Sequence, residues 1–158
     1  TDMSEPRSEI FALDDVDKAI IRELQVDGRM AYAQLSPKVG LSQAAVRQRV
    51  NRLLERGVFQ IVAVSDPLRL GLTTQAMVGI TVTGDVRGVA AAVAAMGESE
   101  YVLITAGRYD VLAELLCTDN DALLELVNDR IRAIDGVAST EVFSILKMEK
   151  LTFSWGTG

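Results

Sequence analysis

The chain contains no histidine. That removes the commonest general acid/base, the Ser-His-Asp and Cys-His nucleophile pairs, and the commonest transition-metal ligand. One cysteine, Cys117, excludes an internal disulfide and a zinc cluster. It stands in the apolar run VLAELLC and is expected to pack as a small core hydrophobe. Neither a Walker loop nor a G-x-G-x-x-G occurs. No apolar run approaches the roughly 18 residues of a membrane-spanning helix, and no segment reads as a secretory signal. The expectation is a cytoplasmic protein with no catalytic residues, no metal and no cofactor.

The net charge of -6 argues at first against nucleic acid, but it is unevenly distributed. Residues 1–60 hold nine Lys/Arg and nine Asp/Glu, whereas residues 61–158 hold seven and thirteen. Within the balanced part, residues 42–56 carry Arg47, Arg49, Arg52 and Arg56 against Glu55 alone. A local basic face matters more for DNA than the overall sign.

That segment closes a helical pattern. A first helix is expected over about 14–26, capped by Asp14 or Asp15, with Val16, Ile20, Ile21 and Leu24 as its buried stripe and Gly28 beyond its end. A second runs from about 32 to 39 and buries Leu35 and Val39. Gly40 turns the chain, Leu41 packs beneath the turn, and Ser42 caps a third helix over 43–56. Short helix, glycine turn, capped helix is the layout of a helix-turn-helix, whose last helix enters the DNA major groove. A helical wheel places Val46, Val50, Leu53 and Leu54 inward, and Ala44, Ala45, Gln48, Asn51 and Arg52 outward. Amides and guanidinium groups bond base edges, and flanking arginines reach phosphates. The expected contacts are therefore base readout by Gln43, Gln48, Asn51 and Arg52 and phosphate contact by Arg47, Arg49 and Arg56, with Ser42 at the helix start.

Residues 58–66, VFQIVAVSD, read as a strand. Beyond them, strands over 75–83, 101–106, 111–117 and 137–147 alternate with helices over 86–96 and 120–133. The second of these helices is expected to be capped by Asp119 and to bury Leu123, Leu124, Val127 and Ile131. The order β-α-β-β-α-β is ferredoxin-like. The fold class is thus α+β: a disordered tail (1–12), a helix-turn-helix domain (13–60), a connecting strand and linker (61–73), a ferredoxin-like domain (74–150) and a C-terminal tail (151–158). Two helices on one sheet face leave the other face to be covered, most simply by a second copy.

The opening LDDVDKAIIRELQVDGR, the segment LSQAAVRQRVNRLLERGV, the turn GRYD and the run GVASTEV occur in this order and spacing. Together they resemble the leucine-responsive regulator/AsnC (feast-famine) family of transcription regulators over residues 13–150. The resemblance implies homodimers and higher homo-oligomers, a connecting strand that helps join subunits, and double-stranded DNA as partner. It also implies a small effector, typically an amino acid, held at loops between dimers by Gly107, Arg108, Tyr109, Asp110 and Thr140. Val142 replaces a second threonine of the family's pattern. Two other functions stay open at this point: a DNA-compacting scaffold without effector, and a small-molecule-binding metabolic module whose helical part docks protein.

Overall fold

The structure, a computed structural model, describes residues 12–152. The expected N-terminal tail up to residue 11, and residues 153–158 of the expected C-terminal tail, lie outside the described residues. The described residues divide into two compact units, one up to Ala63 together with Leu151 and Thr152, the other Val64–Lys150.

The first unit holds three helices: α1 (Asp15–Val26), α2 (Tyr32–Val39) and α3 (Gln43–Glu55). Asp14 caps α1 through a reciprocal capping box with Asp17. Gly40, at φ 71°, ends α2 in the left-handed region that glycine tolerates. Two residues later the Ser42 hydroxyl accepts the Ala45 N–H at 3.2 Å and starts α3. Ile20, Ile21 and Leu24 of α1, Leu35 of α2, and Val46, Val50 and Leu53 of α3 form one buried cluster. Burying such aliphatic side chains is worth about 1.5–3 kcal/mol each, enough to hold three helices too short to persist alone. Lys38 and Glu23 pair across α1 and α2 at 2.8 Å.

No strand forms over 58–66 within the chain. Residues 59–66 have no regular structure, and Ile61, Val62 and Val64 are exposed. A strand needs a ladder partner, and the described residues offer none here.

The second unit holds β1 (Thr74–Val82), α4 (Val86–Ala94), β2 (Ser99–Ile104), β3 (Val111–Cys117), α5 (Asn120–Glu125) and β4 (Val137–Ser144). The strands form one antiparallel sheet in the order β2-β3-β1-β4. Val78 and Ile80 of β1 and Val111, Ala113 and Leu115 of β3 pack against Val89 and Val93 of α4 and against Leu126 and Ile131. Those last two belong to a continuation of α5, Leu126–Ile131, which winds as a π-helix. The Arg132 N–H there reaches back five residues to the Val127 carbonyl at 3.0 Å. This changes the expected helix face. Leu126 is 1% exposed and Leu124 64% exposed, so Leu124 leaves the core and Leu126 takes its place. The wider turn advances the chain less per residue, which keeps Leu126, Val127 and Ile131 all on the sheet side.

Candidate DNA-contacting face and ligand-binding module

The outer surface of α3 is a shallow concavity lined by Gln43, Ala44, Arg47, Gln48 and Asn51. All five are exposed. The burial of Val46, Val50 and Leu53 at i, i+4 and i+7 turns these residues outward. Ala44 keeps the centre of the face low, so a groove edge can approach closely. Arg47 lies over the Tyr32 ring, its guanidinium carbon 5.7 Å from the ring centroid, a cation–π contact that holds the charge beside the amides. Arg56 stands at the end of α3 as its C-cap.

Arg49 and Arg52 have an internal partner. Arg49 Nη1 donates to Asp14 Oδ2 at 2.5 Å and to Asp17 Oδ1 at 3.0 Å. Arg52 Nη2 donates to both Asp17 oxygens at 3.1 Å. Asp17 itself is 1% exposed. The Arg49 guanidinium, helped by the Asp17 backbone N–H, holds the Asp14 carboxyl below the ordinary carboxylate range. Expected DNA contacts from Arg49 and Arg52 therefore compete with a buried carboxylate. Sequence reasoning missed Asp17, yet a signal was present: Asp17 stands in phase with Ile20, Ile21 and Leu24, at the first position of the buried stripe.

In the second unit the turn 105–110 joins β2 to β3. It is braced by Thr105, whose hydroxyl donates to the Tyr109 carbonyl at 2.6 Å and whose N–H donates to the Asp110 carbonyl at 2.9 Å. Gly107 has φ 142°, a region that favours glycine. Asp110 is tied to the sheet: its N–H donates to the Ile80 carbonyl at 2.9 Å and its Oδ2 accepts the Val82 N–H at 2.7 Å. The Tyr109 ring lies on Gly79, where a β-carbon would sit 2.7 Å from it. The Tyr109 hydroxyl donates to Glu141, and Arg108 pairs with the same carboxylate at 3.3 Å. Arg108 also lies over the Tyr109 ring, 5.4 Å from its centroid.

Thr140 is placed elsewhere. Its register partner is Ile80, which faces the helices, whereas Glu141 pairs with Gly79, which faces away from them. Directly paired residues of an antiparallel ladder share a face. So Tyr109 gathers with Glu141 on the open face, and Thr140 lies on the helix side. There it lines a cleft of about 320 Å³ with Val142, Leu123, Leu124, Asn128 and Arg132. The intervening Glu141 and the seat at Gly79 were not anticipated; the period of two along β4 was the available signal.

Cys117 is 2% exposed, and burial, with Glu98 nearby, pushes its thiol up. It packs in the core as expected. The described residues contain no helix long and apolar enough to cross a membrane.

A helix-turn-helix with amides and an arginine on its outer face, joined to a ferredoxin-like unit with a small-molecule-sized cleft, defines a two-module DNA-binding regulator. Two family models match the chain: the AsnC-type helix-turn-helix domain over residues 13–54 and the Lrp/AsnC ligand binding domain over residues 75–155. An HTH-type transcriptional regulator of Pyrococcus horikoshii is 31% identical over 153 residues, covering 96% of this chain and 94% of that protein. Among solved structures, a Neisseria meningitidis transcriptional regulator in complex with L-Met superposes with a TM-score of 0.83 at 29% identity, covering 91% of this chain and 96% of that one. The Mycobacterium tuberculosis leucine response regulatory protein does so with a TM-score of 0.81 at 31% identity, covering 91% and 99%. The chain belongs to the Lrp/AsnC family of transcription regulators.

Proposed function

We propose that the protein is a non-catalytic, cytoplasmic, sequence-specific DNA-binding regulator whose assembly or DNA affinity responds to an amino acid. The observation that carries this reading is the outer face of α3, where Gln43, Gln48 and Asn51 surround Arg47 on a low, exposed surface. Amides bond adenine edges and a guanidinium bonds guanine or phosphate. A homodimer would set two such helices on successive turns of a pseudo-palindromic site. The exposed side chains of Ile61, Val62 and Val64 support a strand completed only across subunits.

The effector reading rests on the cleft holding Thr140. Its volume, about 320 Å³, sits at the lower end of ordinary ligand pockets. Leu123, Leu124 and Val142 offer an aliphatic wall, and Arg132, bonded to Asn128 at 3.1 Å, offers a partner for a carboxylate. Because Thr140 and Tyr109 lie on opposite sheet faces, one chain cannot bring both to one ligand. If Thr140 and the turn Gly107–Asp110 both hold the effector, they come from different copies. An L-Met complex in a relative supports an amino acid as the class.

The test is binding of the full chain to the upstream DNA of its own gene against random duplex of equal length, at fixed salt, with and without L-methionine and L-leucine. Ten-fold preference for the upstream DNA is expected, with a shift on adding the amino acid. In Arg132→Ala the shift disappears and the ligand-free affinity stays. Equal weak binding to both DNAs overturns the sequence-reading part, and an unchanged affinity and sedimentation with every amino acid overturns the effector part.

A further inference from the structure

Asp17 is the single buried charged residue among the described residues. A buried carboxylate must be matched by charge and hydrogen bonds, and here the match is drawn from α3. Arg49 and Arg52 supply three bonds at 3.0–3.1 Å. Asp14 takes the Arg49 guanidinium as well, so two carboxylates face two guanidinium groups. The side chains of Arg49 and Arg52 are 28% and 44% exposed against 2% for that of Asp17. The arginines therefore border the solvent while their partner cannot follow them there. Turning either arginine outward leaves a buried charge short of its partner, whereas Arg47, which stands over Tyr32, has no such tie to a carboxylate among the described residues.

We propose that Asp17 is a specificity-determining positioning residue for DNA binding: it withholds Arg49 and Arg52 from the phosphates and leaves recognition to Gln43, Arg47, Gln48 and Asn51. Phosphate contact is indifferent to sequence and feeds non-specific binding through counterion release. At about 0.15 M salt each contact multiplies affinity for any duplex by roughly five, given a slope of about 0.9 per phosphate. Two arginines withheld on each protomer lower the affinity for random DNA and leave the readout of base edges to dominate. The bridge also fixes the rotation of α3 about its axis relative to α1, which sets the face presented to the groove.

The inference rests on the reading of α3 as the DNA-contacting helix. That reading fails separately, if Arg47→Gln leaves affinity and salt dependence untouched. The experiment measures fluorescence anisotropy of full-length protein on the upstream fragment and on random duplex across a salt series. Arg47→Gln is expected to flatten the log–log slope by about 0.9 per protomer bound. Arg49→Gln and Arg52→Gln are expected to leave it unchanged. Asp17→Asn is expected to steepen it, to tighten random-duplex binding by about 5- to 30-fold at 0.15 M salt, and to narrow the specificity ratio. A slope flattened by about 0.9 in Arg49→Gln or Arg52→Gln overturns the proposal, since the arginine then contacts phosphate. Asp17→Asn with native helix content, weaker on both DNAs at unchanged slope, overturns it too, as the mark of a merely structural residue. If Asp17→Asn loses its native circular dichroism, the slopes of Arg49→Gln and Arg52→Gln decide alone.

Discussion

A single missing β-carbon organises the turn of the second unit. The Tyr109 ring occupies the space above Gly79 and forms a T-shaped pair with Phe143, the ring centroids 6.0 Å apart and the planes at 79°. Gly79→Ala puts a methyl group 2.7 Å from that ring, and overpacking of this kind costs about 1–3 kcal/mol. The expected result is a lower urea midpoint at unchanged m-value. In a Tyr109→Ala background the same substitution should cost much less; equal cost in both backgrounds would place the strain elsewhere. Asp14 offers a second test at this scale. Its pKa is depressed by Arg49, so the stabilisation it brings is present above the unfolded value, about pH 4, and is lost as pH falls through the lower folded value. A carboxyl-carbon titration should give Asp14 a midpoint below that of an ordinary aspartate, and Arg49→Gln should raise it part of the way back, since the Asp17 N–H still donates to the carboxyl. These residue-level details were the least legible in the sequence. A helical wheel sorts the faces of one helix, but the partners of Arg49 and Arg52 lie 32 and 35 residues away. Only the charged residue in phase with an apolar stripe hinted that Asp17 was buried and had to be matched.

Elements were legible where their signals are local. Asp14, Ser42 and Asp119 each accept an N–H from the first turn they precede, because a cap is decided by residues within one turn of it. Ser42→Ala should therefore cost about 1 kcal/mol by thermal melting, and it should lower DNA affinity through the fraying of α3. Two elements escaped. The segment 58–66 has strand composition but no ladder partner among the described residues, and pairing is not a local property. The helix expected over 120–133 changes winding after Glu125, and a fixed period of 3.6 residues cannot anticipate a π turn. Leu126→Ala is expected to destabilise by about 2–5 kcal/mol, as deletion of a fully buried leucine does. Leu124→Ala should stay within about 0.5 kcal/mol of the parent, since Leu124 is 64% exposed. Equal costs for the two variants would restore the uniform α-helical face.

For the whole molecule, the sheet has one covered face and one open one. The helices cover Val78, Ile80, Val111 and Ala113. On the other face the register aligns Leu103 with Leu112 and Tyr101 with Glu114 across β2 and β3, and Met77 with Phe143 across β1 and β4. Tyr101, Leu103 and Phe143 are exposed at 54%, 36% and 43%. A patch of aromatic and aliphatic side chains on a ladder is poorly tolerated in water, and in the proposed homodimer the same surface on a second copy would bury both by two-fold symmetry. Leu103→Glu should then yield monomers in sedimentation velocity, with native circular dichroism retained because Leu103 contributes nothing to the covered face. The consequence for DNA follows from effective concentration. Two linked helices gain on the order of 10²–10⁴ in avidity over one, so a monomeric variant should lose at least about a hundred-fold in affinity for a two-half-site fragment. On a fragment carrying one half-site it should bind as the parent's single arm does. A Leu103→Glu protein that still sediments as a dimer would move the subunit contact away from the open face. One that is monomeric yet binds two half-sites at full strength would show that assembly and DNA reading are separate properties of the chain.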